Sequence, residues 1–526
     1  MRLTLTAVLL FAAVVPAFAQ KNLGKALPKA FSLQVPSVAS RQAERQIARV
    51  ALRTQLQEQL PGKNTVTIFH TSDVHGFFYP RNGQGGYAAL ASLVKREPKP
   101  SLLLDSGDFS QGSAETLVSK GLSAVRMMNA VQYDAATYGN HEFDFGNEQT
   151  IHNFKQAKFS ILASNTTPII PSDLVRPYKI FNVNNMRVAV IGLAYVQATL
   201  PLEGPNDTIE LLSDMLAKIQ EEHADVVVLL AHHALPNQRH MTEVDMDKIS
   251  EQFAGQIHVV LGGHAHNIVQ NEKRNGILFV ESGTSLQYVS KVTVEKDVRT
   301  GEVQASSELI PLVIEKTGES EEVKNLAEQL RFCGIDTPLG TTAMAFEEES
   351  SCEDHLDSPI NNWIADLVRA YSGAQIGAHI DHAVRNTLHQ GEITERDLIE
   401  VFPFDDKVVS FPISGKSLQQ FVETHLEKFT FSGLEVAYVQ HENGTRQIVS
   451  IQVAGVPLDP NKVYTLAASS YIVLGKNGYK GEFTEIPESV KQIVGEKTIR
   501  MLMQEQVETR SPLVPPQTGR IHRIRY

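Results

Sequence analysis

Cysteine is almost missing from this 526-residue chain: only Cys333 and Cys352 occur. A Cys-only metal site is therefore unavailable. The pair either closes one short loop, with ~3 kcal/mol of stabilisation in the chain-entropy account, or stands as two unpaired buried thiols. An excess of positive charge is missing too. The formal net charge is -12 and the pI about 5.9, which argues against a nucleic-acid polymer or an anionic membrane as the main partner. A small anionic substrate stays open, because bound metal ions can reverse the field inside one pocket. Past the first twenty residues there is no long apolar run, so no later segment is expected to span a membrane. Internal repeats are also absent. What is present is ordinary for a globular protein, 42% hydrophobic and 21% charged residues, so most of the chain is expected to fold. At this length one core is too small a unit, and two domains plus smaller pieces are expected.

The chain opens MRLTLTAVLLFAAVVPAFAQ. Arg2 gives a positive start, Leu3 to Val15 an apolar run, and Ala17-Phe18-Ala19 a small-x-small cleavage site. This reads as a secretory signal peptide, residues 1–19, cut after Ala19. The run is shorter than the ~20 apolar residues of a spanning helix, and no cysteine follows the cut for lipid attachment. A soluble, exported product, periplasmic or secreted, is the expectation. Residues 20–63 read as an extension whose second half, with Ile47, Val50, Leu52 and Leu56 near one stripe, has helical spacing.

From residue 64 short apolar runs alternate with helical patterns. TVTIFHTSD (65–73), SLLLDSGD (101–108), RVAVIGLA (187–194), DVVVLLAHH (225–233), IHVVLGGHAH (257–266) and ILFVESG (277–283) each read as a buried strand ending in a polar loop. GYAALASLVKRE (86–97) and DTIELLSDMLAKIQEEH (207–223) read as helices. Such alternation predicts an α/β domain, a layered sheet with helices over it, across 64–312. A charged helix at 319–332 lies in a linker, 313–337. A separate α+β domain follows at 338–526, with strands at 407–414, 446–455 and 462–469 and helices near 358–371 and 416–429.

The predicted strand ends share one property. They carry Asp73 and His75, then Asp108, then Asn140, His141 and Asp144, then His232 and His233, then His264 and His266. Ligands gather where the strands of an α/β sheet end. One Asp or His at a strand end is an ordinary turn former, but five strand ends furnished alike are not. Carboxylate, amide oxygen and imidazole suit borderline first-row divalent ions. There are enough of them for two ions, and Asp108, alone at its strand end, is the natural bridge.

D-x-H, G-D, G-N-H-E, a strand-end His and G-H-x-H, in this order, resemble the calcineurin-like metallophosphatases. GNHEFD, together with the later VFPF and a second domain, resembles the 5′-nucleotidase family of exported two-domain enzymes. The resemblance implies one ion held by Asp73, His75, Asp108 and His266, and another by Asp108, Asn140, His232 and His264. It implies His141 and Asp144 as a catalytic pair, with Asp144 fixing the imidazole tautomer and favouring its cationic form. Glu142 and His233 are read as structural. The implied activity is phosphomonoester hydrolysis of 5′-nucleotides by metal-activated water, with two divalent ions and no covalent phosphoenzyme.

In the second domain, the resemblance makes Phe404 and Tyr471 an aromatic clamp on a base and Arg385 a charge for the substrate. There are departures. The family's N-G-G-G-I-R reads IDHAVR here, so Ile380 replaces the Asn. GGDGY reads GKNGY, so Asn477 replaces a ribose-binding Asp. An expected arginine aligns near Asp354. The small-molecule partner is thus a nucleotide or another phosphate ester. Nucleotide-sugar diphosphatase and 2′,3′-cyclic nucleotide phosphodiesterase activities remain alternatives on the same centre. So does an exported binding protein with a structural metal site.

Overall fold

The computed structural model describes residues 62–525, apart from 82, 99, 167–168, 196–204, 236–245, 442–443 and 476–480. The expected signal peptide and the helix before residue 60 lie outside the described residues. Among the described residues, 62–65 with 295–303 form a small unit of their own. Within it Lys63 pairs with Glu295 at 2.8 Å, and the Asp297 carboxylate accepts the N–H groups of Arg299 and Thr300 to close a turn. The rest of the chain, 66–294 with 304–526, is the other unit.

The N-terminal half is built on two sheets. One has seven strands, in the order Val303–Pro311, Tyr288–Asp297, Lys63–Thr71, Ser101–Asp105, Ala135–Ala136, Ser160–Leu162 and Val175–Arg176. The other has six, in the order Ile268–Arg274, Ile277–Ser282, Val259–Leu261, Val226–Ala231, Met186–Leu193 and Tyr178–Val183. Strands such as Val226–Ala231 are buried along their whole length, which is why they read as unbroken apolar runs rather than alternating ones. Lys63–Thr71, Ser101–Asp105 and Ala135–Ala136 run parallel in one sheet, and Met186–Leu193, Val226–Ala231 and Val259–Leu261 in the other. Their C-terminal ends hold the Asp, Asn and His residues. The helix Tyr87–Lys95 buries Tyr87 to Leu90 in the core. The linker helix Glu321–Leu330 packs Val323 and Ala327 into that same core.

The C-terminal half has a five-stranded sheet, Phe429–Ser432, Ile376–Ile380, Val463–Ser469, Lys407–Ser414 and Gln492–Thr498, and a four-stranded and a two-stranded sheet beside it. The helix Pro359–Ser372 starts as its sequence dictates. Ser358 caps the N–H of Asn361, Pro359 occupies the first turn, and Gly373 takes the left-handed conformation at φ 68° that ends it. Expected and observed elements agree to within a few residues, with Lys407–Ser414 matching at both ends. The hairpin of Tyr288–Asp297 and Val303–Pro311 was not expected, because its polar residues alternate on a half-exposed surface. The two cysteines are free thiols, Cys333 exposed and Cys352 half-buried, so the loop-closing alternative does not hold and neither thiol is buried.

The two halves of the larger unit meet through Arg396. Its guanidinium pairs with Glu115 at 2.6 Å and Asp336 at 2.5 Å, and donates to the Phe332 carbonyl at 2.7 Å. One side chain thus ties the helix Ala114–Ser119, the end of the linker and the helix Glu395–Val401 together.

Candidate active site

The strand ends converge. Asp73, His75 and His266 bring one ligand atom each to within 4.8 Å of one another, and so do Asp108, His232 and His264. The chain reaches these positions through unusual backbone. Asp73, His75, Asp108, His264 and His266 all have positive φ, between 51° and 78°. Outside glycine this left-handed region is sparsely used, and strain of this kind persists only where the surroundings enforce it. Here the enforcement is visible. The N–H of Asp73 bonds the Gly107 carbonyl at 3.0 Å, that of His75 bonds the Asp108 carbonyl at 2.9 Å, and that of His264 bonds the Asp73 carboxylate at 3.0 Å.

Two glycines are required by closeness. A Cβ on Gly139 would collide with Asp108 Oδ1 and the His232 imidazole. Gly107 has φ 97°, and its Cβ would meet the backbone of Tyr138 and Gly139. Glu142 holds the same region together. Its buried carboxylate accepts the N–H groups of Asp108 (3.0 Å), Phe109 (2.9 Å), Ser110 (3.1 Å) and Gly139 (2.6 Å). One side chain therefore fixes the loop of Asp108 against the loop of Asn140.

The imidazoles are oriented by their far nitrogens. His75 Nδ1 donates to the Gln111 carbonyl at 2.9 Å and His232 Nδ1 to the Ser106 carbonyl at 2.6 Å, which turns each Nε2 inward. Burial holds His75, His264 and His266 well below the usual imidazole range, so they are neutral with free lone pairs. Burial would raise Asp108, but His232 and His141 hold it well below the usual carboxylate range. Asp73 is pushed up to about 7, by burial and by Asp108.

This donor set fits divalent ions. His75 Nε2 and His266 Nε2 face each other at 3.0 Å, although both rings are neutral. His232 Nε2 lies 3.1 Å from Asp108 Oδ2 without hydrogen-bond geometry, and Asn140 Oδ1 is buried with no partner among the described residues. Imidazole nitrogens and carboxylate oxygens crowded this closely, with Asn140 Oδ1 left bare beside them, suit a cation between them. Asn140 is thus beside the second triad as an unpaired oxygen.

His141 Nδ1 is 2.7 Å from Asp144 Oδ2, and Arg385 Nη2 donates to His141 Nε2 at 2.9 Å. Burial pushes this imidazole down, yet the Asp144 and Asp108 carboxylates win and the net shift is upward, with Arg385 opposing. Arg385 donates into Nε2 here, which opposes the cation that the two carboxylates favour. The N–H of His141 also bonds Asp108 Oδ1 at 2.8 Å.

A cavity of about 480 Å³ joins the triads to the C-terminal half. Asp108, Asn140, His141, His264 and His266 line one side, and Arg385, Phe404 and Tyr471 the other. Arg385 lies 5.6 Å from the Phe404 ring centre, and its Nη1 is 3.4 Å from His75 and from His266. Asn477 lies outside the described residues. Ile380 lines the cavity. Asp354 is not among the lining residues and pairs with Arg525 at 2.8 Å. His233 donates to the Ala194 carbonyl at 3.0 Å, and burial lowers it to about 3, a structural role as expected.

Sequence reading missed Tyr195, whose ring sits 4.4 Å from that of His264 and 6.0 Å from that of His232. The signal was available: Tyr195 follows the strand Met186–Leu193, at the same kind of strand end as the others. It also missed Gln111, whose side chain reaches the Pro403 carbonyl at 3.3 Å while its backbone carbonyl orients His75.

Comparison with known proteins gives two family matches. The calcineurin-like phosphoesterase family matches residues 66–267, and the family described as 5′-nucleotidase, C-terminal domain, matches 338–483. The Silent protein UshA(0) of Salmonella typhimurium is 27% identical over 499 residues, covering 82% of this chain and 90% of that protein. The snake venom 5′-nucleotidase of Naja atra is 26% identical over 494 residues, covering 80% and 92%. Among solved structures, the 5′-nucleotidase precursor from Thermus thermophilus shares the fold, with TM-score 0.73 and 21% identity over 88% of this chain and all (100%) of that one.

Glu142→Ala should strand four buried backbone N–H groups and lower stability by ~3 kcal/mol. Urea unfolding in the presence of chelator reads this directly. A loss below about 1 kcal/mol would show that the carboxylate does not hold the two loops.

Proposed function

Because the chain belongs to the 5′-nucleotidase family, a calcineurin-like phosphoesterase domain followed by a 5′-nucleotidase C-terminal domain, we propose that it is an exported dimetal phosphoesterase acting on 5′-nucleotides. That it is a metal-dependent phosphoric ester hydrolase follows from the family. The observation that carries the finer reading is the cavity itself, with Asp108, His264 and His266 of the two metal-ligand triads on one side and Arg385, Phe404 and Tyr471 on the other. Domain limits of 64–312 and 338–526, joined by 313–337, are supported by cores drawn from each half, with Val323 and Ala327 of the joining helix packed into the first. Export is supported by the N-terminal apolar run and its cleavage site; among the described residues no helix is long and apolar enough to cross a membrane.

Asp73, His75, Asp108 and His266 would hold one ion, and Asp108, Asn140, His232 and His264 the other, with Asp108 shared. Bound divalent ions supply Lewis acidity and a water of lowered pKa. The protein's own residues do the rest. Arg385 carries a fixed charge with paired N–H donors that suit a phosphoryl group. A phosphoryl oxygen entering beside Arg385 takes over the N–H now given to His141 Nε2. That nitrogen is then free to carry a proton, with Asp144 holding Nδ1–H and stabilising the cation. His141 can thereby offset charge on the phosphoryl group or hand its Nε2 proton to the departing oxygen. Phe404 and Tyr471 offer π-faces to the base, and stacking is worth ~1–3 kcal/mol per base in single-strand binders.

Asp108→Ala should remove most activity and bring the metal content below two ions per chain. Metal analysis of active wild-type protein that finds at most one ion would end the dimetal reading.

His141→Ala should retain both ions yet lose ~10²–10⁴ in kcat, the scale of a positioned acid or base. Near-normal turnover in that variant would remove His141 from the chemistry.

AMP should be a far better substrate than glycerol phosphate. Phe404→Ala should raise KM for AMP and leave glycerol phosphate unaffected, since only uniform binding is lost. Equal kcat/KM for the two esters in the wild type would reduce the reading to a general phosphoesterase.

A further inference from the structure

The far side of the cavity carries polar groups for which phosphoryl transfer has no use. Asn361 stands in the first turn of the helix Pro359–Ser372 and lines the cavity. It is 4% exposed. Its Nδ2 donates to Ser358 Oγ at 2.9 Å, but its Oδ1 has no hydrogen-bond partner among the described residues. Buried acceptors are nearly always satisfied, and one left bare calls for a donor from elsewhere. Here the bare acceptor belongs to a residue on the cavity wall.

Asp381 lines the same cavity, directly after the strand Ile376–Ile380. Thr430 Oγ1 donates to its Oδ1 at 2.8 Å, and no described side chain donates to its Oδ2. The strand Ile376–Ile380 runs parallel to Val463–Ser469, with Ile376 opposite Leu466 and Gly377 opposite Ala467. Asp381 directly follows the first of these strands, and Tyr471 lies in the helix Ser470–Leu474 that directly follows the second. The next strand, Lys407–Ser414, pairs Val408 with Ser469 and so begins at that edge, just after Phe404. The carboxyl and both aromatics therefore stand at one end of three adjacent strands. The helix bearing Asn361 packs on the strand that leads to Asp381. Burial also pushes the Asp381 carboxyl up to about 8, so near neutrality it keeps its proton and can donate as well as accept.

We propose that Asn361 and Asp381 form a specificity subsite that reads an amino group on the base of the leaving nucleoside. This rests on the nucleotidase reading above. An amino N–H satisfies Asn361 Oδ1, and the ring nitrogen beside that amino group pairs with the Asp381 carboxyl. A base without the amino group leaves Asn361 bare in a buried place, and sites built around a hydrogen bond reject analogues that lack it.

The test compares kcat/KM of the metal-loaded protein for AMP and for purine riboside 5′-monophosphate, which lacks only the amino group. Glycerol phosphate serves as an ester without a base. AMP should be favoured over the purine analogue by ~10-fold or more. In Asn361→Ala, and separately in Asp381→Ala, that ratio should shrink towards unity, mainly through KM. Equal values for the two nucleotides in the wild type, both well above glycerol phosphate, overturn the subsite and leave the nucleotidase reading intact. AMP no better than glycerol phosphate overturns both. A ratio preserved in both variants also overturns the assignment. The wild-type comparison needs no variant, and each ratio is taken within one preparation, so poor folding of a variant cannot hide the outcome.

Discussion

Everything at the centre of this protein depends on the buried Glu142 carboxylate and its four backbone hydrogen bonds. It clamps the loop of Asp108 to the loop of Asn140. With the clamp in place Gly139 passes so close to Asp108 and His232 that no Cβ fits. The same closeness allows Asp108 to take the N–H of His141 while standing beside His232. The ligand atoms are crowded together because backbone bonds hold their residues in left-handed conformations. The strain is local, and its release is opposed by the sheets from which each strand end emerges.

The chemistry-bearing side of the cavity is complete in the N-terminal half, but the cavity is not. Arg385, Phe404 and Tyr471 come from the C-terminal half, and Arg385 reaches His141 at 2.9 Å. The position of that half therefore decides whether a fixed cation faces the triads. Arg396, held by Glu115 and Asp336, and Gln111, bonded to the Pro403 carbonyl, both cross the same junction. Gln111 links the two tasks directly, since its own carbonyl orients His75.

Much of the site was legible in order. Asp73, His75, Asp108, Asn140, His232, His264 and His266 stand after apolar runs that could only be buried strands, and parallel strands bring their ends to one edge. The strands and the helices Tyr87–Lys95 and Pro359–Ser372 were readable because burial on one face or both leaves a periodic trace. Tyr195 was not read, because a single aromatic after a strand carries no trace of the histidines it packs on. The half-exposed hairpin of Tyr288–Asp297 and Val303–Pro311 was missed for want of a strong pattern.

The sequence by itself determined which residue types could meet: oxygen and imidazole donors at strand ends, glycines where backbone must turn or approach, and a carboxylate one residue past His141. Those are local facts, written by periodicity and neighbouring residues. Only the tertiary structure decided the pairings across long separations. It set His266 against His75 and gave Glu142 its hold on the Asp108 loop. It set Arg385 against His141 Nε2, where it opposes the cation that Asp144 favours. It also placed Asn361 and Asp381 on the cavity beside the aromatics. Charge state and unsatisfied hydrogen bonds depend on what surrounds a group in space, and no spacing along the chain records that.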